Sequence, residues 1–140
     1  MACGGVECPL NNVVSAGFSI AGGVDTLKET LTVRALKSDN SDTILVNQLQ
    51  NATSFRIPMS YTQEEDVLVF EFTDVENNFI VDTVSIQKTN ILNVSAIECP
   101  PNYFHSITNV STTHNRIADL SITNSNVNYG QNENFMLYIK

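Results

Sequence analysis

The sequence predicts an all-β fold, a single antiparallel β-sandwich of roughly nine strands with a β-barrel as the alternative. Three observations carry that expectation. Ordered stretches alternate with a period of two, β-branched and aromatic residues dominate them, and turn-forming clusters separate them about every 10 to 20 residues. No stretch carries the apolar stripe and caps of a helix, and only "NQLQNA" (Asn47 to Ala52) reads as one short helical turn.

Each element follows from its own residues. "TLTVRAL" (Thr30 to Leu36) and "TILV" (Thr43 to Val46) are β-branched runs separated by the turn cluster "KSDNSD". "SFRIPM" (Ser54 to Met59) follows. "VLVFEFT" (Val67 to Thr73) puts Leu68, Phe70 and Phe72 on one face and Val67, Val69 and Glu71 on the other, so at least one side is buried. After "VENN" come "FIVDTVSIQKT" (Phe79 to Thr89) and "NVSAIE" (Asn93 to Glu98). The cluster "CPPN" breaks the chain before "FHSITNVSTT" (Phe104 to Thr113) and "ADLSITN" (Ala118 to Asn124). "NYGQNEN" then leads into "FMLYIK" (Phe135 to Lys140), whose clean alternation predicts a strand tied into a sheet.

At 140 residues the chain is long enough for one hydrophobic core. Residues 1–7 read as a tether and 8–140 as the single domain. The charged fraction of 16% is low, with Asn, Ser and Thr filling the difference, a balance common in extracytoplasmic β proteins. A net charge of -8 and seven scattered cations argue against nucleic acid as a partner, because phosphate backbones require clustered Lys and Arg. No apolar run approaches the roughly 18 residues of a membrane helix.

The three cysteines are Cys3, Cys8 and Cys99. A Cys8 to Cys99 bridge would close a loop of 91 residues (99 minus 8) and stabilise the fold by about 4 to 5 kcal/mol. Three reduced thiols are the other reading, since the number is odd. Ala2, Cys3, Gly4 and Gly5 have the form of a lipoprotein processing site, a small residue before the cysteine to be acylated and a flexible pair after it.

Other residues contribute little chemistry. His105 and His114 are nine apart, a spacing that sends them to opposite faces of one strand, and each reads as a lone surface histidine. Glu64, Glu65, Asp66 and Glu71 are candidates for acid and base roles, but Glu64 to Asp66 are consecutive beside a strand start and read mainly as a solvated turn. "KSDNSD" lacks the ligand spacing of an EF-hand and reads as a hydrogen-bonded turn. Asn51, Asn93 and Asn109 begin Asn-x-Ser/Thr triplets that so Asn-rich and Thr-rich a chain produces by chance. Tyr61, Tyr103, Phe104 and Tyr129 stand in or beside loops that carry Asn, Gln or Glu. Such rings either cap the ends of the core or stack on a sugar or peptide ligand.

The order of features resembles a known group. A cysteine pair near the start, "FRIPMSYTQEEDVLVFEF", and "DTVSIQKTNILNVSAIECPPNYFHSITNVSTTHNRIADLSITNSNVN" before a terminal hydrophobic strand are similar to small Bacteroidota lipoproteins of unknown function. Pro100 and Pro101 depart from the glycine and aromatic residue expected after the internal cysteine. The resemblance implies an all-β fold, an acylated Cys3 and a Cys8 to Cys99 disulfide, and it brings no activity and no catalytic residues; neither a cofactor nor a metal is expected. The expectation is therefore a non-enzymatic envelope lipoprotein. It would be outer-membrane anchored through lipid alone, facing the periplasm or cell surface, with an envelope protein or a glycan as partner; the alternative is a carbohydrate-binding accessory protein.

Overall fold

Period-two alternation becomes strands throughout the computed structural model, which describes residues 14–23, 25–36, 42–60, 63–93, 102–128 and 133–140. Among them run β1 (Ser15–Gly22), β2 (Thr30–Leu36), β3 (Asp42–Leu49), β4 (Ser54–Pro58), β5 (Glu65–Thr73), β6 (Phe79–Asn93), β7 (Asn102–Thr112), β8 (Ile117–Ile122), β9 (Asn126–Val127) and β10 (Glu133–Ile139). They form a four-stranded sheet, β4-β1-β10-β8, and a six-stranded sheet, β3-β2-β5-β6-β7-β9. One of the two sheets curls as a half-barrel, and the whole is the sandwich-like β domain expected.

Three details differ from expectation. β1 and β9 are additional strands, bringing the described total to ten. The β1 and β10 pair is parallel, while every other pairing is antiparallel. "NQLQNA" forms no helical turn: Asn47 to Leu49 continue β3, and Gln48 and Asn51 take positive φ values of 51° and 53° as the chain bends toward β4. Most of "NVSAIE" lies outside the described residues.

The core is built where two registers coincide. Phe18 on β1 stands opposite Phe55 on β4 and Phe135 on β10, making a row of three rings across the small sheet. Phe55 and Phe135 stack on Phe18 with centroids 5.1 Å and 4.5 Å away, and Phe70 of the other sheet closes on it at 6.0 Å. Rings in this range add to the burial of their area, so Phe18 joins the layers.

Buried polar groups fix the corners. Between Gly17 and Phe18 the β1/β10 register skips one residue, Asn134, whose Oδ1 accepts the Gly17 N–H at 3.0 Å. Its Nδ2 donates to the carbonyls of Asn124 (2.9 Å) and Asn126 (2.8 Å), so one amide stitches β10 to the segment around β9. Where the chain leaves β7 for the other sheet, Asp82 accepts the Thr113 hydroxyl at 2.6 Å and the N–H groups of Asn115, Arg116 and Ile117 at 2.8, 2.7 and 2.9 Å. Burial pushes the Asp82 carboxyl up, but these four donors outweigh it and hold it below the ordinary value.

The register also defines two ends. Leu36 pairs with both Val67 and Asp42, and Ser15 with Pro58, so β1 starts and β2 and β4 finish at one end. There β6 and β7 run on past Gln87, the partner of the first β5 residue, to the Asn93/Asn102 pair. This arm marks the arm end. At the far end, Thr73 pairs with Thr30 and Phe79, and Gly22 with Ile139.

Candidate functional site

Of the residues singled out in the sequence, Tyr103 and Phe104 lie on the arm. Cys3, Cys8, Cys99, Tyr61 and Tyr129 lie outside the described residues. Tyr103 and Phe104 are half-buried, and because they are adjacent on β7 their side chains take opposite faces. Leu92 stands opposite Tyr103 and Ile91 opposite Phe104. Leu92 and Ile91 are 56% and 46% exposed, so each face of the arm presents an aliphatic beside an aromatic. Phe104 also packs on the core, which anchors the arm at its root.

Beneath the arm, on the inward face of the large sheet, lies a chain of polar groups. Lys88 on β6 is 3% exposed. Its Nζ is 3.0 Å from Asp66 Oδ2 and donates to the Gln63 carbonyl at 2.6 Å. Asn90 Nδ2 donates to the same carbonyl at 2.8 Å, and Asn90 Oδ1 contacts His105 Nδ1 at 2.8 Å. The Lys88 N–H meets the Glu64 carbonyl at 2.8 Å, closing the β4/β5 connection onto β6.

The donors settle the tautomer. Because Asn90 gives its Nδ2 to Gln63, its oxygen must be the acceptor toward His105. His105 Nδ1 therefore carries the proton and Nε2 the lone pair. Burial, with the Lys88 charge adding to it, lowers the His105 pKa to about 4, so the ring is neutral near pH 7. Asp66 is pushed the other way: burial raises its carboxyl despite the opposing ammonium of Lys88.

Two sequence readings are corrected here. His105 is a buried member of this network rather than a surface histidine, and Asp66 of "QEED" is buried rather than solvated. Lys88 and Asn90 drew no attention in the sequence. The signal was present, since Val84, Ile86 and Lys88 follow one another at spacing two and so share the buried face. Glu71 pairs with Arg34 at 3.4 Å, and His114 is exposed, with Nδ1 3.2 Å from the Ile117 carbonyl.

Lys88, Asp66, Asn90 and His105 are thus tied to one another and to the Gln63 carbonyl. Among the described residues no three His, Cys, Asp or Glu side chains converge as a metal-ligand set. A separate shallow cavity of about 250 Å³ opens beside Gly17 between Arg56 and Glu133. Ser15 holds Arg56 through Oγ (3.0 Å) and its carbonyl (2.7 Å), and Ser19 donates to Glu133 at 2.5 Å.

No match was found among curated proteins or among solved structures. Residues 30–139, from the start of β2 to the end of β10, match the family of unknown function DUF6452, and the chain belongs to that family.

Proposed function

We propose that this domain is a non-enzymatic interaction module of the cell envelope. It is tethered by a lipid on Cys3, stapled by a Cys8 to Cys99 disulfide, and engages a partner through the β6/β7 arm. One observation carries the choice of surface: Ile91 and Leu92 are exposed on a projecting ladder whose other rungs are Phe104 and Tyr103. Apolar rungs raised beyond a sheet leave water when a partner covers them, and each contributes by the area it buries. The chain passes into β1 at the same end as the arm.

The test is co-purification of native protein from envelope fractions, compared with a Leu92→Asp, Tyr103→Ala variant. A stoichiometric partner lost in the variant supports the reading, and a protein recovered alone from the soluble fraction ends it. Intact mass with and without reduction reports the lipid and the disulfide together. Tyr103 is a half-buried ring beside the exposed Leu92 on the arm, and an aromatic face of this kind can stack on a sugar, which makes glycan the second reading. Binding to a polysaccharide panel that disappears in Tyr103→Ala would select it.

A further inference from the structure

The far end carries a second apolar surface that neither the core nor the arm explains. The turn joining β5 to β6 presents Val75, 97% exposed, with Phe79 and Ile80 at 64% and 42% on the strand that follows. Side chains so placed usually belong to mobile loops, yet this turn is tightly bonded. Asp74 Oδ1 accepts the N–H groups of Glu76 (2.9 Å) and Asn78 (3.0 Å). The Asp74 N–H meets the Asn78 carbonyl at 2.9 Å, and the Asn77 N–H meets the Asp74 carbonyl at 3.1 Å. Asn77 supplies the positive φ of 66° that closes the turn.

Charge identifies what would fit over it. From Ile57 to Gln87 the chain holds seven Asp and Glu and no Lys or Arg, and Asp74 and Glu76 flank Val75. An anionic lipid surface requires an excess of cations beside the apolar anchors; Lys28, brought to this end by the Thr30/Thr73 pair, is flanked by Asp25 and Glu29, so the surroundings of the turn stay net acidic. A second copy would bring the same acids and a net charge of -8 against them.

We propose that the β5/β6 turn is a preorganised docking finger for a protein partner whose apolar pocket, lined for Val75 and Phe79, is rimmed by lysine or arginine. Binding seats the two side chains in the pocket and sets Asp74 and Glu76 against the rim. Since the turn is already closed, little ordering is lost on docking. The finger lies at the opposite end from the arm, so the two surfaces can be occupied at once.

Photo-crosslinking in the producing cell tests this, with benzoylphenylalanine at position 79 and, as control, at the exposed Asp119 on β8. The expected result is one discrete protein adduct from position 79 and none from 119. Once identified and purified, that protein should bind the wild-type domain. Phe79→Asp should weaken binding by about tenfold or more, and so should Val75→Asp. Raising NaCl from about 50 mM to about 500 mM should weaken it further. Both variants should melt as wild type does, because neither side chain belongs to the core. Adducts spread over many proteins, adducts to lipid or to a second copy of this chain, or binding indifferent to Phe79→Asp or to salt would overturn the proposal. Loss of arm binding in Leu92→Asp would leave this result unchanged, which separates the two surfaces.

Discussion

Replacing Asp66 by Ala removes the carboxylate and leaves the Lys88 ammonium in a site where its side chain has no exposure. At 3.0 Å and an effective dielectric of about 20, the attraction between the two is about 5 to 6 kcal/mol. Desolvation costs several kcal/mol for each ion, so the pair nets close to zero while either partner alone is costly. Asp66→Ala and Lys88→Met should each lose about 3 to 5 kcal/mol, and the double change Asp66→Leu, Lys88→Met should fall within about 1 kcal/mol of wild type. With a urea dependence of about 2 kcal/mol per molar, the single variants lose about 2 M in midpoint. The sign with pH follows from burial: the Asp66 carboxyl is raised in the fold, so its contribution to stability is greatest at low pH and declines as pH rises through that raised value. The Lys88→Met deficit should therefore shrink on acidification. Single variants that lose less than about 1 kcal/mol, or a double variant as unstable as either single one, would refute the account of a dry, mutually dependent pair.

Three further outcomes follow from the same geometry. His105, lowered from 6.5 to about 4, contributes stability that is complete above pH 6.5 and is lost as pH falls toward 4; His105→Gln should flatten the urea midpoint across that window. Asp82→Ala should cost about 3 to 9 kcal/mol, the sum of three unpaired backbone donors at about 1 to 3 each, read as a lowered melting temperature. Because the Asp82 carboxyl is held low, its contribution in wild type persists above the ordinary carboxylate pKa and disappears only as pH falls through its own. Gly22→Ala should destabilise by at least about 1 to 3 kcal/mol, since φ is +93° and a Cβ would lie 2.7 Å from the Ile139 carbonyl oxygen; an unchanged thermal midpoint would show that the end of β1 gives way freely.

How much of this could be read from the residues depended on whether a strand advertised itself. Leu68, Phe70 and Phe72 recurring at a spacing of two identified β5 and its buried face at once. β1 did not announce itself, because "SAGFSIAG" is half glycine and alanine, weak strand formers whose place is decided by the Phe55 and Phe135 rings on either side. β9 is two residues long and has no periodicity to detect. The parallel pairing of β1 with β10 links positions more than a hundred residues apart, a distance over which local pattern carries no information. The polar chain was hidden for a related reason. Asp66, Lys88 and His105 occupy the buried rows of their strands near the arm end, where a charged residue ordinarily turns to water. What keeps them inside is one another, and that requires three strands already in register.

The parallel pairing of β1 with β10 also sets an order of events during synthesis. The small sheet needs β10 at its centre, between β1 and β8, and β10 is the last described strand to leave the ribosome. Until then the large sheet has all six of its strands, while Phe18 and Phe55 lack Phe135 and the Gly17 N–H lacks the Asn134 oxygen. A nascent chain is thus a half-finished sandwich with an open aromatic seam. Apolar surface left open in this way favours aggregation until the final strand covers it.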